Sequence, residues 1–167
     1  TKDTDKETKN KTETKNTTAT KAKSKASNNT SSASAIDNSN RDLYLGKHIF
    51  IVESPGKVKK IQSYLGDNYV VVASCGHIRG ITKRPFGIDI DNNYTQTFHV
   101  LPEKTDVVRK LQSAVNYNNG LVYLATDGDA EGYSISYHIK EVLGIPENRS
   151  RRIVFNEITK NAICNSI

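Results

Sequence analysis

The chain has 167 residues, a length that suits one compact domain. Only 35% of the residues are hydrophobic, so part of the chain is expected to stay unfolded. The net charge of +6 favours a polyanionic partner, and no apolar run reaches the ~18 residues that cross a bilayer. With no signal-peptide pattern at the N-terminus, we expect a protein of the cytoplasm or nucleus without a membrane segment.

The N-terminal quarter of the chain differs in composition from the rest. Residues 1–40 are almost entirely Lys, Thr, Ser, Asn, Ala and acidic residues, and Ile36 is their only branched aliphatic residue. Such a segment cannot offset the entropy lost on ordering. We therefore predict a disordered tail followed by one folded domain over residues 41–167. The Lys-rich tail is either a solvated linker or an arm that contacts nucleic acid or carries a targeting signal.

The folded part begins with a predicted strand, loop, helix and strand. Residues 48–53 are rich in β-branched and aromatic side chains, as in a buried parallel strand, and Pro55 and Gly56 end the run. Residues 57–65 place their apolar side chains on one helical face, and residues 69–74 form the next apolar run.

The second half repeats this alternation. Residues 82–100 give no clear pattern, although residues 94–100 suit an extended strand or a substrate-facing loop. Beyond them, periodicity predicts alternating elements: a helix over 102–117, a strand over 121–126, a helix through 135–143, a strand over 152–157 and a helix over 159–167. Strands that alternate with helices predict an α/β fold, a parallel sheet with helices on both faces.

Acidic residues follow two of the predicted strands. Glu53 follows the first, and Asp127 and Asp129 follow a later one, with Glu131 at the start of the next helix. Active groups of parallel sheets gather beyond the carboxyl ends of the strands, so these acids are expected to converge. Three hard oxygen ligands at this spacing suit magnesium. The alternative is that they only cap the helix and complement its dipole.

Basic residues accompany these acids. Lys57 follows Ser54, Pro55 and Gly56 into a helix N-terminus, an arrangement that can contact a phosphate. The spacing is not that of a nucleotide-binding P-loop, which disfavours nucleoside triphosphate hydrolysis. A second group, after the next strand, suggests a track for a phosphate backbone and consists of His77, Arg79, Lys83 and Arg84.

Four segments together resemble the Toprim domain of type IA DNA topoisomerases, a family that includes reverse gyrase. They are residues 51–57 (IVESPGK), 74–79 (SCGHIR), 123–132 (YLATDGDAEG) and 152–160 (RIVFNEITK). The resemblance covers about residues 47–167 and implies a Toprim fold, a Rossmann-like parallel sheet flanked by helices.

The resemblance also implies roles for individual residues. Glu53 would serve in acid–base chemistry at the scissile phosphate, and Lys57 would stabilise the charged transition state. Asp127, Asp129 and Glu131 would bind magnesium, with Glu53 beside them. Two positions depart from the family's DxDREGE motif: Ala130 replaces its Arg, and Tyr133 replaces its last Glu.

The family attacks DNA with a tyrosine on a later domain, and no tyrosine of this chain lies in a matching sequence. We therefore expect a monomeric parent protein that continues beyond residue 167. It would relax negatively supercoiled DNA by cleaving, passing and rejoining one strand at single-stranded regions. This chain alone is expected to be inactive.

Two alternatives remain open. One is a non-catalytic module that binds DNA, in a manner sensitive to salt and indifferent to magnesium, through its tail and basic residues: Arg79, Lys83, Arg84, Arg151 and Arg152. The other is a Toprim nuclease or primase, which would leave the GHIR and FNEIT segments unexplained.

Overall fold

A parallel sheet of four strands forms the centre of residues 41–167, the part of the chain that this computed structural model describes. The elements in chain order are α1 (Arg41–Tyr44), β1 (His48–Val52), α2 (Pro55–Leu65), β2 (Tyr69–Ala73), β3 (Arg79–Ile81), β4 (Ile88–Asp89), β5 (Thr95–Gln96), β6 (Phe98–Val100), α3 (Thr105–Tyr117), β7 (Val122–Ala125), α4 (Ala130–Leu143), β8 (Ser150–Arg152) and α5 (Lys160–Asn165). The predicted tail over residues 1–40 lies outside the described residues.

The strand order in the sheet is β2-β1-β7-β8, and all three pairings are parallel. Strand β1 lies between β2 and β7, so Ile49 is opposite both Val70 and Val122. Its last four residues are fully buried, as a strand covered on both faces requires. The α/β fold predicted from alternating strands and helices is confirmed.

Each face of the sheet is covered by its own helices. On one face, Leu111 of α3 and Ile135 of α4 pack with Ile51 of the central strand. On the other, Ile61 of α2 and Ile163 of α5 pack with their own set of strand side chains. Because successive strand residues point to opposite faces, the apolar runs of the strands supply both cores. Helix α4 therefore lies opposite α2 across the sheet.

The strand predicted over residues 152–157 is wrong. Strand β8 is Ser150–Arg152, and the last bond to the sheet is donated by the amide of Ile153 to the carbonyl of Leu124. Beyond Ile153 the chain leaves the sheet, and Val154 is exposed. The prediction failed because an apolar run that merely follows an edge strand has the same amino-acid composition as a run that pairs in the sheet.

Other predicted element boundaries differ less from the observed ones. Helix α2 begins two residues before the predicted start, with Pro55 in its first turn, where a missing amide proton costs nothing. The helix predicted over 102–117 begins with one 3-10 turn, Pro102–Lys104, before α3. Residues 82–100, which had no clear pattern, contain the short strands β4, β5 and β6. Strand β4 pairs antiparallel with β5, and β6 pairs antiparallel with β3, which precedes this stretch. None of the helices within residues 41–167 is long and apolar enough to cross a membrane.

Candidate active site at the carboxyl edge of the sheet

The predicted site residues leave the sheet from two neighbouring strands. Strands β1 and β7 pair in parallel with Val52 opposite Ala125, so both chains leave the sheet at the same level. Glu53 directly follows β1, and Asp127 lies two residues beyond the end of β7. The predicted convergence of acidic residues at this edge follows from that register.

Lys57 and Asp127 form an ion pair across this edge. The Nζ atom of Lys57, in the first turn of α2, lies 2.5 Å from Oδ1 of Asp127. The side chains are 24% and 53% exposed, so water screens the pair and its contribution to stability is small. The pair fixes a lysine beside the acidic loop, where it could also contact a phosphate.

Asp129 and Glu131 make local contacts at the N-terminus of α4. Asp129 is the N-cap, and its Oδ1 accepts a hydrogen bond from the amide of Gly132 at 2.7 Å. Glu131 Oε1 lies 3.4 Å from Nε2 of His77. The capping interpretation considered for these acids therefore describes Asp129, while Glu131 extends toward the loop that follows β2.

The acidic loop lies directly against the first turn of α4. A Cβ atom on Gly132 would lie 2.2 Å from the carbonyl oxygen of Asp127, so only glycine fits here. The buried hydroxyl of Thr126 donates to the carbonyl of Gly132 at 2.5 Å. Both contacts hold the loop against the helix.

Arg152 holds the same loop from the neighbouring strand. Its guanidinium donates to the Thr126 hydroxyl, to Oγ of Ser136 at 2.7 Å and to the carbonyl of Asp127 at 3.0 Å. Because Thr126 and Ser136 are buried, these bonds satisfy polar atoms that water does not reach. Sequence reasoning missed this network, since its members lie far apart in the chain.

The acidic residues alter the proton affinity of Glu53. Partial burial raises the pKa of Glu53, and the negative charges of Asp127, Glu131 and Asp129 raise it further, while Lys57 opposes them. A carboxyl group with a raised pKa can hold and release a proton closer to neutral pH. Proton transfer is the role that the resemblance implies for this residue.

The four predicted magnesium ligands are all carboxylates, the donor type that magnesium prefers. Within residues 41–167, however, no three His, Cys, Asp or Glu side chains are grouped closely enough to hold a metal ion. Lys57 donates a hydrogen bond to Asp127, and the amide of Gly132 donates one to Asp129. The donor set fits magnesium in kind, and these local bonds would have to rearrange for it to bind.

The predicted DNA contacts lie in different settings. Lys83 and Arg84 are exposed, whereas His77 lies beside Glu131. Arg79 donates to Nδ1 of His138 at 2.6 Å, and Arg152 belongs to the network behind the acidic loop. Of the basic residues predicted to contact DNA, Arg79, Arg151 and Arg152 thus donate hydrogen bonds inside the protein, which sequence alone did not indicate.

A cavity of about 540 Å³ opens beside the ion pair. It is lined by Lys57 and Asp127 on one side and by Asn156 and Glu157 on the other. Those last two residues lie where the chain has left β8. Because the sequence predicted a strand over residues 152–157, their position beside the cavity was not predicted. The cavity is large and polar enough to admit a phosphate group beside Lys57.

Comparison with known proteins agrees with this geometry. The family model described as "Toprim domain" matches residues 48–158. DNA topoisomerase 1 of Campylobacter jejuni is 45% identical over 122 residues, which are 72% of this chain and 17% of that protein. Full-length topoisomerase I of Thermotoga maritima has a TM-score of 0.62 and 39% identity, over 71% of this chain and 20% of its own.

The chain thus spans about a fifth or less of each of these relatives. The matched residues include both strands that carry the acids, the Lys57 helix and the segment that lines the cavity. The chain belongs to the Toprim family and is related to DNA topoisomerase I.

Proposed function

We propose that residues 41–167 are the Toprim domain of a type IA DNA topoisomerase. Its parent would cleave one DNA strand, pass a strand through the break and rejoin it, with the nucleophilic tyrosine on another domain. The parent would act as a monomer on single-stranded regions of negatively supercoiled DNA, in the cytoplasm or nucleus. The chain by itself would not cleave DNA.

The observation that carries this proposal is the meeting of Glu53, Lys57 and Asp127 at one edge of the sheet. Attack on a phosphodiester builds negative charge on the phosphate oxygens and on the leaving oxygen. Lys57 would stabilise the phosphate charge, and Glu53, with its raised pKa, would hold the proton that the leaving oxygen needs.

Asp127, Asp129 and Glu131, with Glu53 beside them, would hold magnesium. The bound ion would supply a further positive charge against the developing phosphate charge. Asp127 would have to loosen its bond to Lys57, which would release the ammonium group toward the phosphate. The 53% exposure of the Asp127 side chain favours such an exchange, because water can replace the bond that this carboxylate loses.

A non-catalytic DNA-binding module is the second candidate. It is favoured by the absence, among the described residues, of a ready-made group of three metal-binding side chains. The replacements at Ala130 and Tyr133 alter the same motif. Such a module would bind DNA through basic residues such as Lys83 and Arg84, with affinity that falls steeply with salt.

Calorimetric titration of magnesium into the chain separates the two candidates. We expect binding that the double variant Asp127→Asn plus Asp129→Asn abolishes. The matched control is Asp89→Asn plus Asp91→Asn, which removes the same charge at the same spacing from exposed positions outside the site. Absence of binding to the unmodified chain, or equal loss in the control, would count against the proposed metal site.

The reaction itself is tested in the full-length parent. Relaxation of a negatively supercoiled plasmid in magnesium, lost on Glu53→Gln, would support the proposal. A parent that relaxes no plasmid would contradict it. Magnesium-dependent nicking by the chain alone would instead favour a nuclease.

A further inference from the structure

We propose that one face of α4 is a stacking surface for the bases of single-stranded nucleic acid. The surface consists of Tyr133 and Tyr137, with the guanidinium groups of Arg152 and Arg79 against their rings. We call it the tyrosine surface. Neither tyrosine belongs to the predicted catalytic, metal-binding or DNA-binding residues.

Both tyrosines expose their rings. Tyr133 is 65% exposed and Tyr137 is 50% exposed, although tyrosine usually buries much of its ring. They are four residues apart in α4, so they lie one above the other on the same side of the helix. Two neighbouring rings can therefore receive two successive bases.

Each ring lies against an arginine that is already held in place. The Cζ atom of Arg152 is 5.8 Å from the centroid of the Tyr133 ring, and that of Arg79 is 5.7 Å from the centroid of Tyr137. Arg152 is anchored by Ser136 and Arg79 by His138. A base that stacks on the rings would therefore lose little affinity to the ordering of side chains.

The two basic groups beside the rings, Arg152 and Arg79, suit a nucleic acid. A cavity of about 220 Å³ adjoins the rings. Its further lining residues are Leu124, Ser136, Ser150 and the ion pair of Lys140 with Glu147. Tyr and Arg are also frequent in protein interfaces, but Lys, Glu and Ser, which form the rest of the polar lining, are depleted there, so the lining as a whole favours a nucleic acid over a protein partner. Arginine beside exposed aromatic rings is the combination that binds single strands, whose unpaired bases present their faces.

The position on α4 agrees with such a role. The amide of Tyr133 bonds to the carbonyl of Asp129 at 3.0 Å, so the tyrosine surface begins one turn from the acidic loop. A single strand stacked there would pass close to that loop. Stacking needs no magnesium, so this inference can fail or succeed independently of the proposed reaction.

The test is the binding of labelled oligothymidine to the whole chain, measured by fluorescence anisotropy at low salt without magnesium. Each ring–base contact is worth roughly a fivefold change in affinity or more. We expect Tyr133→Ala plus Tyr137→Ala to weaken binding by at least about 25-fold, the product of two such contacts. The corresponding double Phe variant should bind as the unmodified chain does, since Phe retains the ring.

Two controls make the result specific. Tyr94→Ala removes a tyrosine that is 66% exposed outside α4, and it should leave the affinity unchanged. A base-free oligonucleotide of the same length carries the same phosphates, so the double Ala variant should bind it as tightly as the unmodified chain does. Urea unfolding of each variant shows whether the fold is retained.

Several outcomes would overturn the proposal. One is that the unmodified chain binds oligothymidine no better than the base-free strand, or not at all. Another is that the double Ala variant binds oligothymidine unchanged. If that variant instead dissociates a dimer detected by light scattering, the tyrosine surface is an interface between copies of the chain.

Discussion

Gly132 is the position at which a single added carbon would disturb the acidic loop most directly. A Cβ atom there would lie 2.2 Å from the carbonyl oxygen of Asp127 and 2.9 Å from the carbonyl carbon and the nitrogen of that residue. Because all three are backbone atoms, no side-chain rotation relieves the clash. In Gly132→Ala the loop must therefore move away from α4 by roughly 1 Å to reach ordinary contact distance.

The cost follows from two opposing effects. Overpacking of this kind costs about 1–3 kcal/mol, and the obstacle is rigid backbone, so the upper end applies. Alanine is a better helix former than glycine, by about 1 kcal/mol, which offsets part of the cost. The free energy of unfolding of Gly132→Ala is therefore expected to fall by about 2 kcal/mol.

Gly56→Ala is the matched control. Gly56 also lies in the first turn of a helix, but the nearest atom to its added Cβ would be Oγ of Ser54 at 3.7 Å, an ordinary contact. This variant is expected to gain a few tenths of a kcal/mol, up to about 1 kcal/mol. Urea unfolding followed by circular dichroism measures both. If Gly132→Ala is as stable as Gly56→Ala, the loop is not held as the structure indicates.

Three further predictions concern single side chains. Because the pKa of Glu53 is raised in the folded state, stability is lost as pH rises from the ordinary glutamate pKa through the raised one. Glu53→Gln should thus be more stable than the unmodified chain at neutral pH but not at about pH 3 in urea unfolding; a pH-independent difference would contradict this. Lys57→Ala removes the cation that competes for Asp127 and should strengthen magnesium binding by up to about fivefold in calorimetry, whereas weaker binding would refute the competition. Ser74→Ala should raise the free energy of unfolding by about 1 kcal/mol, since the buried Oγ of Ser74 has no hydrogen-bond partner among the described residues, and a loss of stability would reveal one.

The sheet could be predicted because strands that are buried on both faces are continuous apolar runs in the sequence. Strands β1 and β2 are continuous apolar runs between Gly, Pro and Asn signals, and the structure contains both within one residue of the predicted ends. Strand β8 is not such an apolar run. It lies at the edge of the sheet with the sequence Ser-Arg-Arg, and beyond Ile153 the residues Val154 and Phe155 line a cavity instead of pairing.

The location of the site was predictable for a related reason. Glu53 and Asp127 follow neighbouring parallel strands, and the carboxyl ends of such strands meet at one edge. The partners of each side chain were not predictable. The contact between Lys57 and Asp127 joins residues 70 positions apart, and it depends on the register of the sheet and the start of α2.

Arg152 shows why charge alone does not assign a residue to a nucleic-acid surface. By charge and sequence position it resembles a phosphate contact, yet its guanidinium donates to Ser136 and to the carbonyl of Asp127, with Tyr133 against its outer side. A glutamate in place of Tyr133, as in the family motif, would offer a carboxylate that competes for this guanidinium. Tyrosine leaves the hydrogen bonds to the acidic loop intact and covers the arginine with a ring. Tyr133 in place of the family's glutamate therefore removes one negative charge near the acidic loop. Arg152 still positions that loop, and the tyrosine ring adds an aromatic surface beside it.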